Sequence, residues 1–195
     1  MCPGQKSWRA DHHSSVQSSL RSLYNRTMAS GITVHESVEK LVQQMKVHRH
    51  GGTEDRLKLL MLRVSDDLQN VIVDEDLTLY VKDVADEENV FKKVMSMFPK
   101  TECRFGLYDC SYRTNETMKE DLIFFYWAPD EAKTKSKMVY TSTSQGLKTK
   151  IMGGVKYKVE AQDLVDLEVS EIAELLGKGS VLQLEGIPIA GQAKK

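Results

Sequence analysis

The chain has 195 residues, 41% of them hydrophobic, and its 27 Lys+Arg against 28 Asp+Glu give a formal net charge of -1. That balance fits one compact domain and argues against a general nucleic-acid binder, so any basic patch has to be local. No stretch approaches the ~18 consecutive apolar residues of a membrane span, the N-terminus lacks the apolar core of a secretory signal, and Cys2, Cys103 and Cys110 lack zinc spacing, so a cytosolic protein with reduced thiols is expected.

Residues 1–27 are Ser-rich, carry four basic residues against the single acid Asp11, and lack sustained periodicity, which reads as a disordered extension. Cys2, His12 and His13 match no recognised ligand spacing, and His48-x-His50 in a charged turn is assigned to solvent; no metal and no cofactor is expected. Thr33-Val-His-Glu36 reads as a capping box opening a helix whose apolar stripe is Val34, Val38, Leu41, Val42 and Met45. Leu59–Val64 and Asn70–Val73 are predicted as paired strands around a polar turn, and Leu77–Val84 as a further strand. A second helix is expected from about Asp86 to Phe98, stopped by Pro99.

Cys103–Tyr112 and Glu120–Ala128 are the next predicted strands. Their core is the run Leu122–Trp127, apolar at alternate and intervening positions alike, the pattern of a central strand covered on both faces. Cys103 and Cys110 stand an odd number of residues apart in one strand, so their side chains are expected on opposite faces, unable to pair. A long helix Lys133–Met152 follows, ended by Gly153-Gly154. Then come a strand Tyr157–Ala161, a helix Ser170–Leu176 closed by Gly177, and a strand Val181–Leu184. Helices alternating with strands predict an α/β (α+β) single domain, a central mixed sheet flanked by helices on both faces.

The long helix draws attention. Lys133, Lys135 and Lys137 occupy its first turns, where cations oppose the helix dipole. At ~100° per residue, Ser136, Val139, Tyr140, Thr143, Leu147 and Ile151 share one arc and form a core stripe, while Met138 falls outside it, flanked by Lys135 and Lys137. Met138 is either a scattered surface methionine or the apolar anchor of a contact helix steered by lysines to an acidic partner. No arrangement of nucleophile, base and orienting group supports catalysis, and Gly153-Gly154 lacks the ending of a phosphate-binding loop, so no catalytic residue and no enzyme activity is expected.

Four separated segments carry a family resemblance: MASGITV from Met28, CRFGLYDCSY from Cys103, KEDLIFFYWAPDEAKTKSKMVYTSTSQGLK from Lys119 and LQLEGIPI ending at Ile189. In wording and order they resemble the actin-depolymerising factor/cofilin family, vertebrate type. The resemblance covers residues 28–189, leaving 1–27 as the extension and 190–195 as a tail, and implies the actin-depolymerising-factor homology fold. It implies a protein that binds filament and monomeric actin, prefers the ADP-bound filament, changes filament twist, and severs and depolymerises filaments in the cytoplasm. A non-severing binding module of the same fold, like coactosin or glia maturation factor, is the alternative.

Carried over by position, the resemblance implies a monomer-binding surface of Ala29, Ser30, Gly31, Lys135, Lys137 and Met138. It implies a filament surface of Arg104, Lys119, Asp121, Lys156 and Lys158. Asp121 is equally a structural ion-pair partner, and Trp127 is expected to pack rather than contact. Ser30 is the expected phosphorylation site for a regulatory kinase and phosphatase, and Lys135, Lys137, Lys148, Lys150 and Lys156 an expected site for phosphoinositide headgroups. Three departures stand out. Glu54-Asp-Arg-Leu-Lys58 replaces a dense basic cluster, which argues against nuclear import. Tyr157 stands where the family often has His, so pH sensing does not transfer. Residues 1–27 precede a terminus that in the family packs on actin, so if retained they are expected to hinder docking or to leave sideways.

Overall fold

The computed structural model describes residues 30–47, 54–150 and 153–189, with Lys150 described by its backbone alone. Among the described residues nine strands form one mixed sheet: β1 Thr33–Val34, β2 Leu57–Val64, β3 Asn70–Val73, β4 Leu79–Tyr80, β5 Arg104–Thr114, β6 Met118–Trp127, β7 Tyr157–Ala161, β8 Val181–Leu184 and β9 Ile187–Pro188. The main order is β1-β3-β2-β5-β6-β7, with β4 beside β2 and the β8–β9 hairpin beside the far end of β5. β1 with β3 and β6 with β7 pair in parallel, and the other pairs are antiparallel. Helices α1 Glu36–Val47 and α3 Thr134–Lys150 cover one face, α2 Val90–Ser96 and α4 Val169–Gly177 the other.

The two-faced sheet follows from the period of a strand. On β6, Leu122 and Phe124 enter the core under α1 and α3, while Ile123, Phe125 and Trp127 enter the core under α2 and α4. Each of these five is at most 2% exposed, worth about 1.5–3 kcal/mol per side chain. Cys103 and Cys110 are buried in different cores, as the odd spacing predicts. Trp127 packs, as expected: its indole N–H donates to the Pro99 carbonyl at 2.7 Å and its ring meets Phe98 edge-on. A Cβ on Gly106 would lie 3.1 Å from the Phe98 ring, so a side chain there would require that ring to shift.

Four expectations need correction. Thr33 does not cap α1. It pairs in β1 with Asn70 and places its hydroxyl 2.5 Å from Asn70 Oδ1, and His35 takes the position before the helix, its Nδ1 accepting from Ser37 N at 3.3 Å. The T-x-x-E spacing is equally compatible with a short strand, and the parallel partner decides. Leu77–Val84 is not one strand but β4 between two 3-10 turns, Glu75–Leu77 and Val81–Val84, because β2 offers only two pairing positions there. The second helix starts at Val90 rather than Asp86, where the Asn89 side chain accepts from Lys92 N at 2.8 Å. Gly177 is the last residue of α4 rather than its terminator. The left-handed turn falls on Lys178 (φ 45°) and Gly179 (φ 85°).

One end of the sheet holds a buried charged network that no local pattern announces. Glu185, at φ 50° in the β8–β9 turn, receives Lys58 at 2.9 Å, the Tyr108 hydroxyl at 2.6 Å and Ser111 N at 3.0 Å. Beside it Arg56 bridges Asp109 and Glu120, each at 3.3 Å. Asp109 Oδ1 is buried without a hydrogen-bond partner, and burial pushes its carboxyl above the ordinary range.

Candidate functional site: the lysine and methionine ridge

Helix α3 is fixed to the sheet by both apolar and polar anchors. Tyr140 and Leu147 are buried, and the Tyr140 ring lies 5.0 Å from Phe105. Val64 N donates to the Tyr140 hydroxyl at 2.9 Å, and the Tyr126 and Thr141 hydroxyls meet at 2.7 Å. Thr143 is fully buried and bonds back to the Val139 carbonyl at 2.8 Å, removing its polar cost; Ser144 is buried too. The predicted core stripe is thus borne out through Leu147, and Ile151 lies outside the described residues.

The opposite side of the helix faces solvent. Met138 is 69% exposed, so its thioether points outward. Lys133 and Lys135 are exposed, and Lys137 is half-buried, donating to the Asp130 carbonyl at 3.2 Å and pairing with its carboxylate at 3.3 Å. Ser30 reaches the same helix from 113 positions away, at its buried side: its hydroxyl oxygen lies 3.2 Å from that of Thr143. Gly31 follows at φ 79°, a left-handed turn that glycine adopts without strain, and this brings Ser30 onto α3. Ala29 lies outside the described residues. Of the six expected monomer-surface residues, Ser30, Gly31, Lys135, Lys137 and Met138 therefore gather at one helix, Ser30 against its buried Thr143 and Met138 on its outward side.

The expected filament residues divide into two places. Lys119, Asp121 and Lys156 lie at the end of the sheet where β6 begins, because Ile123 pairs with Tyr157 in the parallel register. There Asp121 accepts from the Tyr112 hydroxyl at 2.6 Å, and burial with that bond raises the Tyr112 pKa. Lys156 donates to the Tyr157 hydroxyl at 2.6 Å and lies 4.5 Å over its ring. Lys158 is exposed further along β7. Arg104 pairs with Trp127 at the opposite end of the β5–β6 ladder, roughly 25 Å away at ~3.3 Å per residue. It is braced by Asp74 at 2.7 Å and Glu102 at 2.6 Å. The lysines expected to hold a headgroup are likewise spread along α3: Lys148, paired with Glu160, is about 20 Å from Lys135 at ~1.5 Å rise per residue. The side chain of Lys150 lies outside the described residues.

A groove of about 610 Å³ beside the ridge was not legible in the sequence. Arg104, Lys133, Lys135 and Tyr140 form one side, and Leu68 of the β2–β3 turn, 42% exposed at φ 58°, the other. A large apolar residue inside an otherwise polar turn was its one local sign. Among the described residues, no helix is long and apolar enough to cross a membrane, and no three His, Cys, Asp or Glu side chains gather as a metal cluster.

A two-faced sheet carrying an outward basic helix defines an actin-depolymerising-factor homology domain, and sequence comparison agrees. The family model for cofilin/tropomyosin-type actin-binding protein matches residues 31–177. The chain belongs to that family. Its fold is similar to Streptomyces griseoflavus cofilin (22% identity over 76% of this chain and 98% of that one, TM-score 0.61). It is similar too to Plasmodium berghei actin depolymerization factor 2 (23%, 76% and 99%, TM-score 0.62). Entamoeba histolytica coactosin shares it at 18% identity over 75% and 95%, with TM-score 0.59. At these identities the likeness is one of fold.

Proposed function

We propose that this protein is an actin-binding protein of the vertebrate cofilin type, which holds filament and monomer, prefers the ADP-bound filament, changes its twist, and severs and depolymerises it. The observation that supports this best is the outward Met138, on a helix pinned to the core, with lysines to either side and Ser30 against the same helix at Thr143. A methionine there offers an adaptable apolar knob to a partner's groove, and the lysines raise the encounter rate with an acidic surface. Lys119, Asp121, Lys156 and Lys158 form the second contact surface that a filament, but not a monomer, would engage. Arg104 stands nearer the ridge and serves that side. Severing then needs no covalent step by this chain. A ligand that favours one twist shifts the filament toward it, and the boundary with undecorated filament is where it breaks.

Regulation acts on the same helix. A kinase placing a phosphate on Ser30 would add about -1.5 to -2 charge against acidic actin, and a phosphatase would restore binding. Phosphoinositide headgroups compete at Lys135 and Lys137, with Lys148 and Lys150 extending the positive field along the helix and Lys156 carrying it beyond the helix to the start of β7. The expected place of action is the cytoplasm, on the actin cytoskeleton.

Co-sedimentation tests the reading. Met138→Asp removes no internal contact, so its melting temperature stays within about 2 °C of the parent, while loss of an anchor worth ~2 kcal/mol weakens pelleting with filaments roughly 30-fold. Undiminished pelleting rejects the ridge as the contact. Imaging of filament length separates severing from the non-severing alternative: shortening supports the first, decoration at constant length the second.

A further inference from the structure

The far side of the molecule carries a surface that the actin reading leaves unused. From Ala161 to Gly177 the chain holds five acids, Asp163, Asp166, Glu168, Glu171 and Glu174, and no Lys or Arg. Asp163 and Asp166 cap the 3-10 turn Leu164–Leu167: Asp166 accepts from Gln162 N at 2.8 Å and Asp163 from Leu164 N at 2.5 Å. All five are exposed, and none forms an ion pair with a described side chain. Among them stand three large apolar side chains left to solvent, Leu164 at 48%, Val165 at 59% and Leu175 at 37% exposure. Isolated exposed leucines need no explanation, but three in one acidic ledge describe a surface suited to a basic segment that carries its own apolar residues.

The chain itself contains such a segment. Residues 1–29 hold Lys6, Arg9, Arg21 and Arg26 against Asp11, and within them Leu20-Arg21-Ser22-Leu23-Tyr24-Asn25-Arg26 alternates apolar side chains with cations. We propose that Leu20–Arg26 docks on the acidic ledge of α4 and the Leu164–Leu167 turn, with Leu20, Leu23 and Tyr24 against Leu164 and Val165 and the two arginines among the carboxylates.

Reach, charge and tethering support this occupant over the lysine ridge. Ser30 is fixed against Thr143 on α3, and the ten residues back to Leu20 extend up to about 33 Å. The ridge next to Ser30 carries Lys133, Lys135 and Lys137 and repels the same arginines. A tether of this length also presents the segment at an effective concentration near millimolar, so contacts too weak between separate molecules suffice. Parking the segment behind α4 leaves Met138 open, which reconciles the long N-terminal segment with a contact face that begins at Ser30. The inference concerns the free protein and stands or falls without actin.

Paramagnetic relaxation in the full-length chain tests it. A nitroxide on Ser18→Cys in a Cys2→Ser background is the single accessible label, because Cys103 and Cys110 are buried. At ~50 mM salt the amide signals of residues 163–175 are expected to lose at least half their intensity, and to recover by ~0.5 M salt, where the Debye length is under 5 Å. Glu168→Lys with Glu171→Lys abolishes the loss while the remaining spectrum stays in place. Broadening centred on α3, broadening that ignores salt or the charge reversal, or none at all overturns the proposal.

Discussion

Helices α3 and α4 pack on opposite faces of one sheet, yet they are held there by different means and present opposite charge. α4 is seated by an apolar stripe of Ile172, Ala173 and Leu176. α3 buries Tyr140 and Leu147 but also Thr143 and Ser144, and borrows hydrogen bonds from Val64 and Tyr126. Residues 133–150 hold five lysines and no acid, and residues 161–177 five acids and no Lys or Arg. The two segments cancel within the net charge of -1, which therefore says nothing about either. Polar anchoring is what permits α3 a narrow apolar stripe and leaves its outward side free for a methionine.

The deepest test of the comparison is whether both helices rest equally on their cores. Leu147→Ala and Leu176→Ala each remove a buried leucine, at 0% and 6% exposure, and each is expected to cost about 2–5 kcal/mol in urea unfolding. A cost under about 1 kcal/mol at Leu147 would mean that the polar anchors alone hold α3. Charge comes next. Lys135→Glu with Lys137→Glu should weaken filament pelleting by 10-fold or more, and phosphoinositide-vesicle binding with it, whereas Glu171→Lys with Glu174→Lys, in a chain beginning at Met28, should change pelleting less than twofold. Equal effects from the two faces would remove the distinction between them.

The polar anchors themselves can be broken singly. Tyr140→Phe keeps the ring against Phe105 but leaves Val64 N without its acceptor inside the core, an expected loss of about 1–3 kcal/mol. Because the ridge then tilts on a looser base, pelleting should fall as well, by a smaller factor than for Met138→Asp.

How much of this was legible follows from which interactions are local. A continuous apolar run announced β6, and the outward direction of Met138 came directly from helical period. The β7 and β8 bounds, Tyr157–Ala161 and Val181–Leu184, read correctly because each is short and set off by glycine or by charged residues. Leu77–Val84 failed because pairing depends on a partner strand, and β2 has a bulge between Leu57 and Leu59 that no composition reveals. At the site, Ser30 and α3 could be joined only by resemblance, since 113 positions separate Ser30 from Thr143. The spread of the expected headgroup lysines, and the distance between Arg104 and Lys119, are likewise properties of register rather than of residue type.

The smallest effect expected lies where the two faces share their charged end, at Asp109. Burial raises its native carboxyl above the unfolded value near 4, with Arg56 and Lys58 working against that rise. A raised acid binds more protons folded than unfolded, so between the two values its contribution falls as pH rises, and above the native value it is constant. Asp109→Asn cannot titrate. The stability of the parent minus that of the variant should therefore decline from about pH 4 upward and then level, each unit of native shift being worth about 1.4 kcal/mol. A difference that grows with pH over that window would mean instead that Arg56 holds the carboxylate ionised, and that the orphaned Oδ1 costs the folded protein less than its burial implies.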